Sequence, residues 1–264
     1  MCQLLGMNCN VPTDICFSFE GFSARGGVTD HHSDGWGIAF FEGKGCRLFI
    51  DAKSTLESPV AELVKRYPIR SMNVVAHIRK ATQGTGALEN CHPFKRELWG
   101  RYWIFAHNGD LKTFYPKLAG PFEPVGTTDS ERAFCYLLEN LRREFPAGQP
   151  DSEHLYGKLA ALAAEMGEHG EFNFLLSNGE RLYARCATNL CYIVRKAPFC
   201  TAHLIDQDVS VDFSQVTTPE DRVAVIATKP LTDNETWDVI QPGELIGFYM
   251  GEAETGKAVN VRTV

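Results

Sequence analysis

The sequence predicts an α+β fold of mostly antiparallel sheets with helices on the outside. Three observations carry this. Strand-like segments dominate up to residue 107, two long helical segments follow, and strands fill the remainder. That order lacks the regular βαβ alternation of a doubly wound parallel sheet. Turn signals such as Ser177-Asn178-Gly179 join neighbouring strands as hairpins, which are antiparallel.

Residues 2–8 read as a short apolar strand. Residues 14–25 place apolar side chains at near-helical spacing and end at Gly26-Gly27, a helix-stop signal. Residues 35–41 and 47–51 read as strands around a turn at Gly43-Lys44-Gly45. Ser58 is an N-cap followed by Pro59 at the first helical position, opening a helix to about residue 66. Residues 73–79 and 101–107 are strand-like. The clearest helix spans 128–145, where Phe134, Leu137, Leu138 and Leu141 form an apolar stripe. A Pro/Gly-containing break at 146–151 precedes a second helix over 152–166. Strands are expected at 172–176, 181–185, 191–195, 222–227, 236–240 and 245–250. No internal repeat, low-complexity segment or clear linker interrupts the chain.

The 264 residues suit one large domain or two small ones. With 44% hydrophobic and 22% charged residues there is enough apolar material for a sizeable core. Net charge is −7 and no basic stripe occurs, which argues against nucleic acid as a partner. No run approaches the ~18 apolar residues of a membrane span, and the start of the chain carries no signal-peptide pattern. The nine cysteines are odd in number and include no C-x-x-C pair, which argues against a disulfide framework or a zinc ribbon. A reducing cytoplasm fits this usage.

Cys2 directly follows Met1, and methionine aminopeptidases generally remove Met ahead of so small a residue. Removal would give one residue both a thiol and a free α-amine. The thiol is a strong nucleophile at its ordinary pKa. The amine, with a reference pKa of about 7.7–8.0, can take a proton from it and return that proton to a leaving group. A cysteine in second place can equally be an inert small apolar side chain.

Four further constellations could carry chemistry. His107-Asn108-Gly109 closes a strand. Asn-Gly there is a common type I′ turn, or else an oxyanion hole built from the Asn amide and the next backbone N–H. Arg79, at the end of another strand, is a surface arginine or a bidentate partner for a substrate carboxylate. Thr128-Asp129-Ser130-Glu131 is a capping box, or it offers Asp129 to a substrate ammonium. His31, His32 and Asp34 suggest a metal, but adjacent residues on an extended chain point apart and no ligand spacing completes the set. Arginine, aspartate, an oxyanion hole and a thiol together describe a site for an α-amino acid with a reactive side-chain carbonyl, glutamine above all.

Met1-Cys2, His77-Ile78-Arg79-Lys80-Ala81-Thr82, His107-Asn108-Gly109 and Thr128-Asp129-Ser130-Glu131 stand in the order and at the spacing of the class II glutamine amidotransferases, which the whole chain resembles. Arg25-Gly26-Gly27 with Asp34-Gly35-Trp36-Gly37 resembles that family's R-G…D-G/S-x-G region. Small stand-alone members are the nearest in pattern. The resemblance implies a single amidotransferase domain over 1–264 with the four-layer α/β/β/α sandwich of N-terminal-nucleophile hydrolases. It implies Cys2 as nucleophile, Asn108 and Gly109 as oxyanion donors, and Arg79, Asp129, Thr82, His107 and Arg25 around the substrate. It implies no metal and no organic cofactor, with a synthase that receives ammonia as an optional partner. Gln3 stands where the biosynthetic members have Gly, and Arg79-Lys80-Ala81-Thr82-Gln83-Gly84 departs from their R-W-A-T-H-G. Several readings therefore stay open: a glutaminase, a γ-glutamyl hydrolase acting on a larger conjugate, a metallohydrolase using His31, His32, His77 or His92, and a non-catalytic amino-acid sensor that retains Met1.

Overall fold

Both faces of the central strands are apolar, so the sheets need cover on both sides, and this one requirement organises the molecule. The computed structural model describes residues 2–27, 29, 34–80 and 87–254. Among them the elements run β1 (Gln3–Thr13), α1 (Cys16–Ala24), β2 (Trp36–Glu42), β3 (Gly45–Asp51), α2 (Pro59–Arg66), β4 (Ser71–Ile78), β5 (Phe94–Leu98), β6 (Arg101–Asp110), α3 (Asp129–Glu144), α4 (Ser152–Gly167), β7 (Glu171–Ser177), β8 (Leu182–Arg185), β9 (Cys191–Lys196), β10 (Thr201–His203), β11 (Ser210–Asp212), β12 (Arg222–Ala227), β13 (Asp238–Val239), β14 (Leu245–Tyr249) and β15 (Glu252–Glu254). One sheet has the order β13-β9-β12-β1-β4-β2-β3, the other β15-β14-β8-β7-β6-β5, and β10-β11 form a short ribbon. The pairings are antiparallel, as expected.

Side chains alternate across a strand, and that alternation divides the core into three layers. Leu5 and Met7 of β1 pack outward against Phe19 and Phe22 of α1 and Val64 of α2. Leu4 points the other way and meets Ile104, Ala106 and Leu175 of the facing sheet. Phe105 of β6 lies beyond, beneath Phe134, Leu137 and Leu162 of α3 and α4. The order of layers is helix, sheet, sheet, helix. Each fully buried Leu or Phe contributes about 1.5–3 kcal/mol of transfer free energy, so the middle layer holds the two sheets firmly face to face.

Helix starts follow their local chemistry. Ser58 accepts from Ala61 N and Pro59 takes the first helical position of α2. Thr128 accepts from Glu131 N at 3.2 Å to start α3. The reciprocal half of the capping box is absent: Glu131 turns instead to Gly126 N at 2.7 Å and to Arg96.

Three local expectations are corrected. Asn108 and Gly109 do not form a turn; they lie inside β6, paired with Asn173 and Phe172 of β7. The strand expected at 236–240 shrinks to Asp238–Val239. β5 went unforeseen because Phe94-Lys-Arg-Glu-Leu98 reads as polar; it is the edge of its sheet, where charge is tolerated.

Candidate active site

The strand alternation that builds the middle layer also aims a set of polar side chains into it at one end. Cys2 precedes β1 and shares the face of Leu4. His77 and Arg79 continue the face of Val75 on β4, and Asn108 continues that of Ile104 and Ala106 on β6. The β1–β4 register pairs Gln3 with Ile78, which brings Cys2 beside Arg79 and Lys80. The backbone N–H of Lys80 donates to Cys2 Sγ at 3.2 Å, and the thiol approaches the Lys80 carbonyl at 3.5 Å. Burial pushes the Cys2 thiol up, while the Lys80 N–H, the positive chain terminus and Arg79 act against that rise. The thiol therefore holds its proton at neutral pH and needs a base to become a nucleophile.

Cys2, Arg79, His107, Gly109 and Asp129 line one cavity of about 440 Å³. Arg79 is 8% exposed, its backbone N–H is fixed by Gly35 O at 2.8 Å, and its Nη1 finds no partner among the described residues. Asn108 is buried and is not among the residues lining that cavity; its carbonyl accepts from Asn173 Nδ2 at 2.9 Å, while its own Nδ2 finds no partner among the described residues. A buried amide donor left unsatisfied costs about 1–3 kcal/mol. Gly109 allows the backbone to come this close: a Cβ there would sit 1.8 Å from the Glu171 carbonyl oxygen.

Asp129 opens α3 and points its carboxylate at the loop after β6. Its Oδ2 accepts from Leu111 N at 2.8 Å. Behind it, His107 Nε2 faces the Glu171 carbonyl at 3.0 Å and Nδ1 faces Ser130 Oγ at 2.8 Å. A carbonyl only accepts, so Nε2 carries the proton. Burial holds His107 below the usual histidine range, against Asp129 and the Glu171 bond, and the neutral ring leaves Nδ1 as an acceptor for the Ser130 hydroxyl. Ser130 Oγ also stands 3.3 Å from Asp129 Oδ1. Its single proton serves His107, and Asp129 Oδ1 keeps acceptor capacity for a ligand.

His92 was not foreseen in this setting. It precedes β5, lines the same cavity and bonds His77 Nε2 through Nδ1 at 3.1 Å. Burial, together with the charges of His77, His107 and Arg79, holds His92 well below the usual range. The only sequence signal was histidine itself, which had suggested a metal ligand. Among the described residues no cluster of three or more His, Cys, Asp and Glu has the geometry for a metal. His31 and His32 lie outside the described residues, as does Thr82.

Arg25 departs from its expected place. It follows α1 on the outer face of the seven-stranded sheet, where it bonds Asp206 at 2.8 Å, the Lys229 carbonyl at 3.1 Å and the Pro230 carbonyl at 2.5 Å. With Gln3, whose side chain alternates away from Cys2, it lines a separate cavity. The structure does not bring Arg25 to the Cys2 cavity.

A family model, glutamine amidotransferases class-II, matches residues 1–263. The YafJ protein of Escherichia coli (strain K12), provisionally named a glutamine amidotransferase, is 56% identical over 96% of this chain and 99% of its own. A crystal structure titled as a predicted glutamine amidotransferase from Pseudomonas aeruginosa PA01 shares 46% identity, covers 96% of this chain and 99% of its own, and superposes with a TM-score of 0.77. Glutamine phosphoribosylpyrophosphate amidotransferase from B. subtilis matches in fold, with TM-score 0.61 and 14% identity over 97% of this chain and 49% of its own.

Proposed function

The chain belongs to the class II glutamine amidotransferases, and from that premise we propose that it hydrolyses the side-chain amide of glutamine or a γ-glutamyl amide through a thioester on Cys2. One observation supports this above the others: the Cys2 sulfur, held by the Lys80 N–H at 3.2 Å, shares a cavity with Arg79 and Asp129. Those two are the cation and anion that an α-amino acid requires.

In the proposed sequence, loss of Met1 frees the Cys2 α-amine. The amine takes the thiol proton, and Sγ attacks the side-chain carbonyl carbon. The oxygen that gains negative charge is met by Asn108 Nδ2, the unsatisfied donor, and by the Gly109 N–H. Arg79 holds the α-carboxylate through a bidentate pair. Asp129 Oδ1 takes the α-ammonium, while His107 and Ser130 brace the carboxylate from behind. When the C–N bond breaks, the α-ammonium returns its proton to the departing ammonia or amine. Water, deprotonated by the same amine, then cleaves the thioester and releases glutamate. Thr82 belongs to the substrate set by motif alone, and Arg25 has no step here. The sequence uses no metal or organic cofactor. A cytoplasmic setting completes the proposal; where the product is ammonia, a synthase that receives it is an optional partner.

The test is glutamate and ammonia release from glutamine by wild type and by Cys2→Ala. Activity confined to wild type is expected. Amidase activity surviving in Cys2→Ala sinks the nucleophile assignment. A chain that binds glutamine without releasing glutamate would be the non-catalytic relative instead.

A further inference from the structure

The charges around the Cys2 cavity exceed what glutamine needs. Four cations line it, Arg79, Lys80, Lys112 and Arg132, against two carboxylates, Asp110 and Asp129. This excess stands in a chain whose net charge is −7. On the reading above, the glutamyl half of a substrate is a zwitterion that uses one cation and one anion, Arg79 and Asp129. Among the described lining residues that leaves Asp110 as the remaining carboxylate for Lys80, Lys112 and Arg132. None of their three side chains makes an ion pair or hydrogen bond among the described residues. Arg132 belongs to the first turn of α3, which Asp129 opens, and Lys112 follows Leu111, whose N–H donates to Asp129, in the loop after β6. The cavity volume of about 440 Å³ falls in the range of clefts for ligands larger than one amino acid.

We propose that the preferred substrate is a γ-glutamyl amide whose amine portion carries an anionic group, a carboxylate or a phosphate, recognised by Lys112 and Arg132. This rests on the γ-glutamyl thioester reading and adds the class of leaving group to it. The amine half is where the extra anion must be, because both charges of the glutamyl half already have partners. The bond changes are those of the general reaction: the γ-amide C–N bond breaks, the anionic amine leaves with the proton from the Cys2 ammonium, and water resolves the thioester.

The test compares kcat/KM for glutamate release from γ-glutamylmethylamide, γ-glutamylglycine and the γ-glutamyl amide of phosphoethanolamine. The neutral methylamide is the reference within each enzyme, so loss of folded protein cancels in the ratio. The anionic amides should exceed the methylamide about tenfold at low salt, the sum of a few partly exposed charge contacts. That ratio should shrink as salt shortens the screening length and fall toward one in the Lys112→Met/Arg132→Met double variant. The larger of the two anionic ratios identifies carboxylate or phosphate. A wild-type ratio near one overturns this inference while leaving the thioester reading intact, as does a ratio unmoved in the double variant. Hydrolysis of none of the three amides, nor of glutamine, overturns the thioester reading and this inference with it.

Discussion

The backbone N–H of Lys80 donates to the sulfur of Cys2 at 3.2 Å, tying the start of β1 to the residue after Arg79. The thiol is thereby aimed into the gap between the sheets, yet burial keeps it protonated. A half-buried neutral thiol is selective only if a base reaches it. A glutamine-mimicking diazoketone should therefore label Cys2 and spare the other eight cysteines. Peptide mapping reads this directly, and modification at Cys91 or Cys186 in place of Cys2 points to a different site.

Asn108→Ala should lower kcat by about 10²–10³, the usual effect of losing one oxyanion donor. KM should change little, because that contact tightens mainly in the transition state. The side-chain Nδ2 finds no partner among the described residues, so its removal breaks no hydrogen bond to them. A variant with normal kcat and a lower Tm would make Asn108 a structural strand residue only.

Arg79→Ala and Asp129→Ala should show the opposite signature, a large rise in KM. Asp129→Ala should also lower Tm, since Leu111 N loses its acceptor. Asp129→Asn keeps an oxygen for Leu111 N but removes the charge, so it should restore Tm without restoring KM. Recovery of both in the asparagine variant would mean that Asp129 acts through the loop and not on an ammonium.

Acid should destabilise the fold from about pH 6.5 downward. His92 and His107 are held below the usual histidine range by burial. Below the unfolded pKa of about 6.5 the unfolded chain binds protons that the folded chain refuses. Stability is thus full above that pH and is lost as pH falls, by at most about 1.4 kcal/mol per pH unit for each such group. Tm measured from pH 7.5 to 5.5 should fall less steeply in His92→Gln than in wild type. An unchanged slope would show that His92 is not one of the groups responsible.

The elements with strong periodicity or turn chemistry were legible from residue patterns. The apolar stripe of α3, the Ser58-Pro59 start of α2 and the Asn178-Gly179 turn all stand where the residues put them. The layer order came from the motif resemblance and not from periodicity. Local rules kept a turn at Asn108-Gly109 as an alternative because the pairing that holds it extended comes from β7, over sixty residues away. Arg25 was misplaced for a related reason: a motif reports the neighbourhood of residues in sequence, and only the fold shows that α1 ends on the outer face of its sheet. His92 escaped as a site neighbour because its meaning lies in its bond to His77, which no spacing announces.

The central claim is that the Cys2 α-amine is the base, and the most direct measurement compares two forms of one protein. One begins at Cys2, verified by intact mass; the other carries extra residues ahead of Cys2 that cannot be removed. An amide nitrogen at that position has no basicity, so only the first form should release glutamate from glutamine. Its rate should rise with pH as the amine deprotonates, with a midpoint that belongs to the coupled amine–thiol pair. Equal activity in the two forms would contradict the account and leave Cys2 an ordinary cysteine near a chain end.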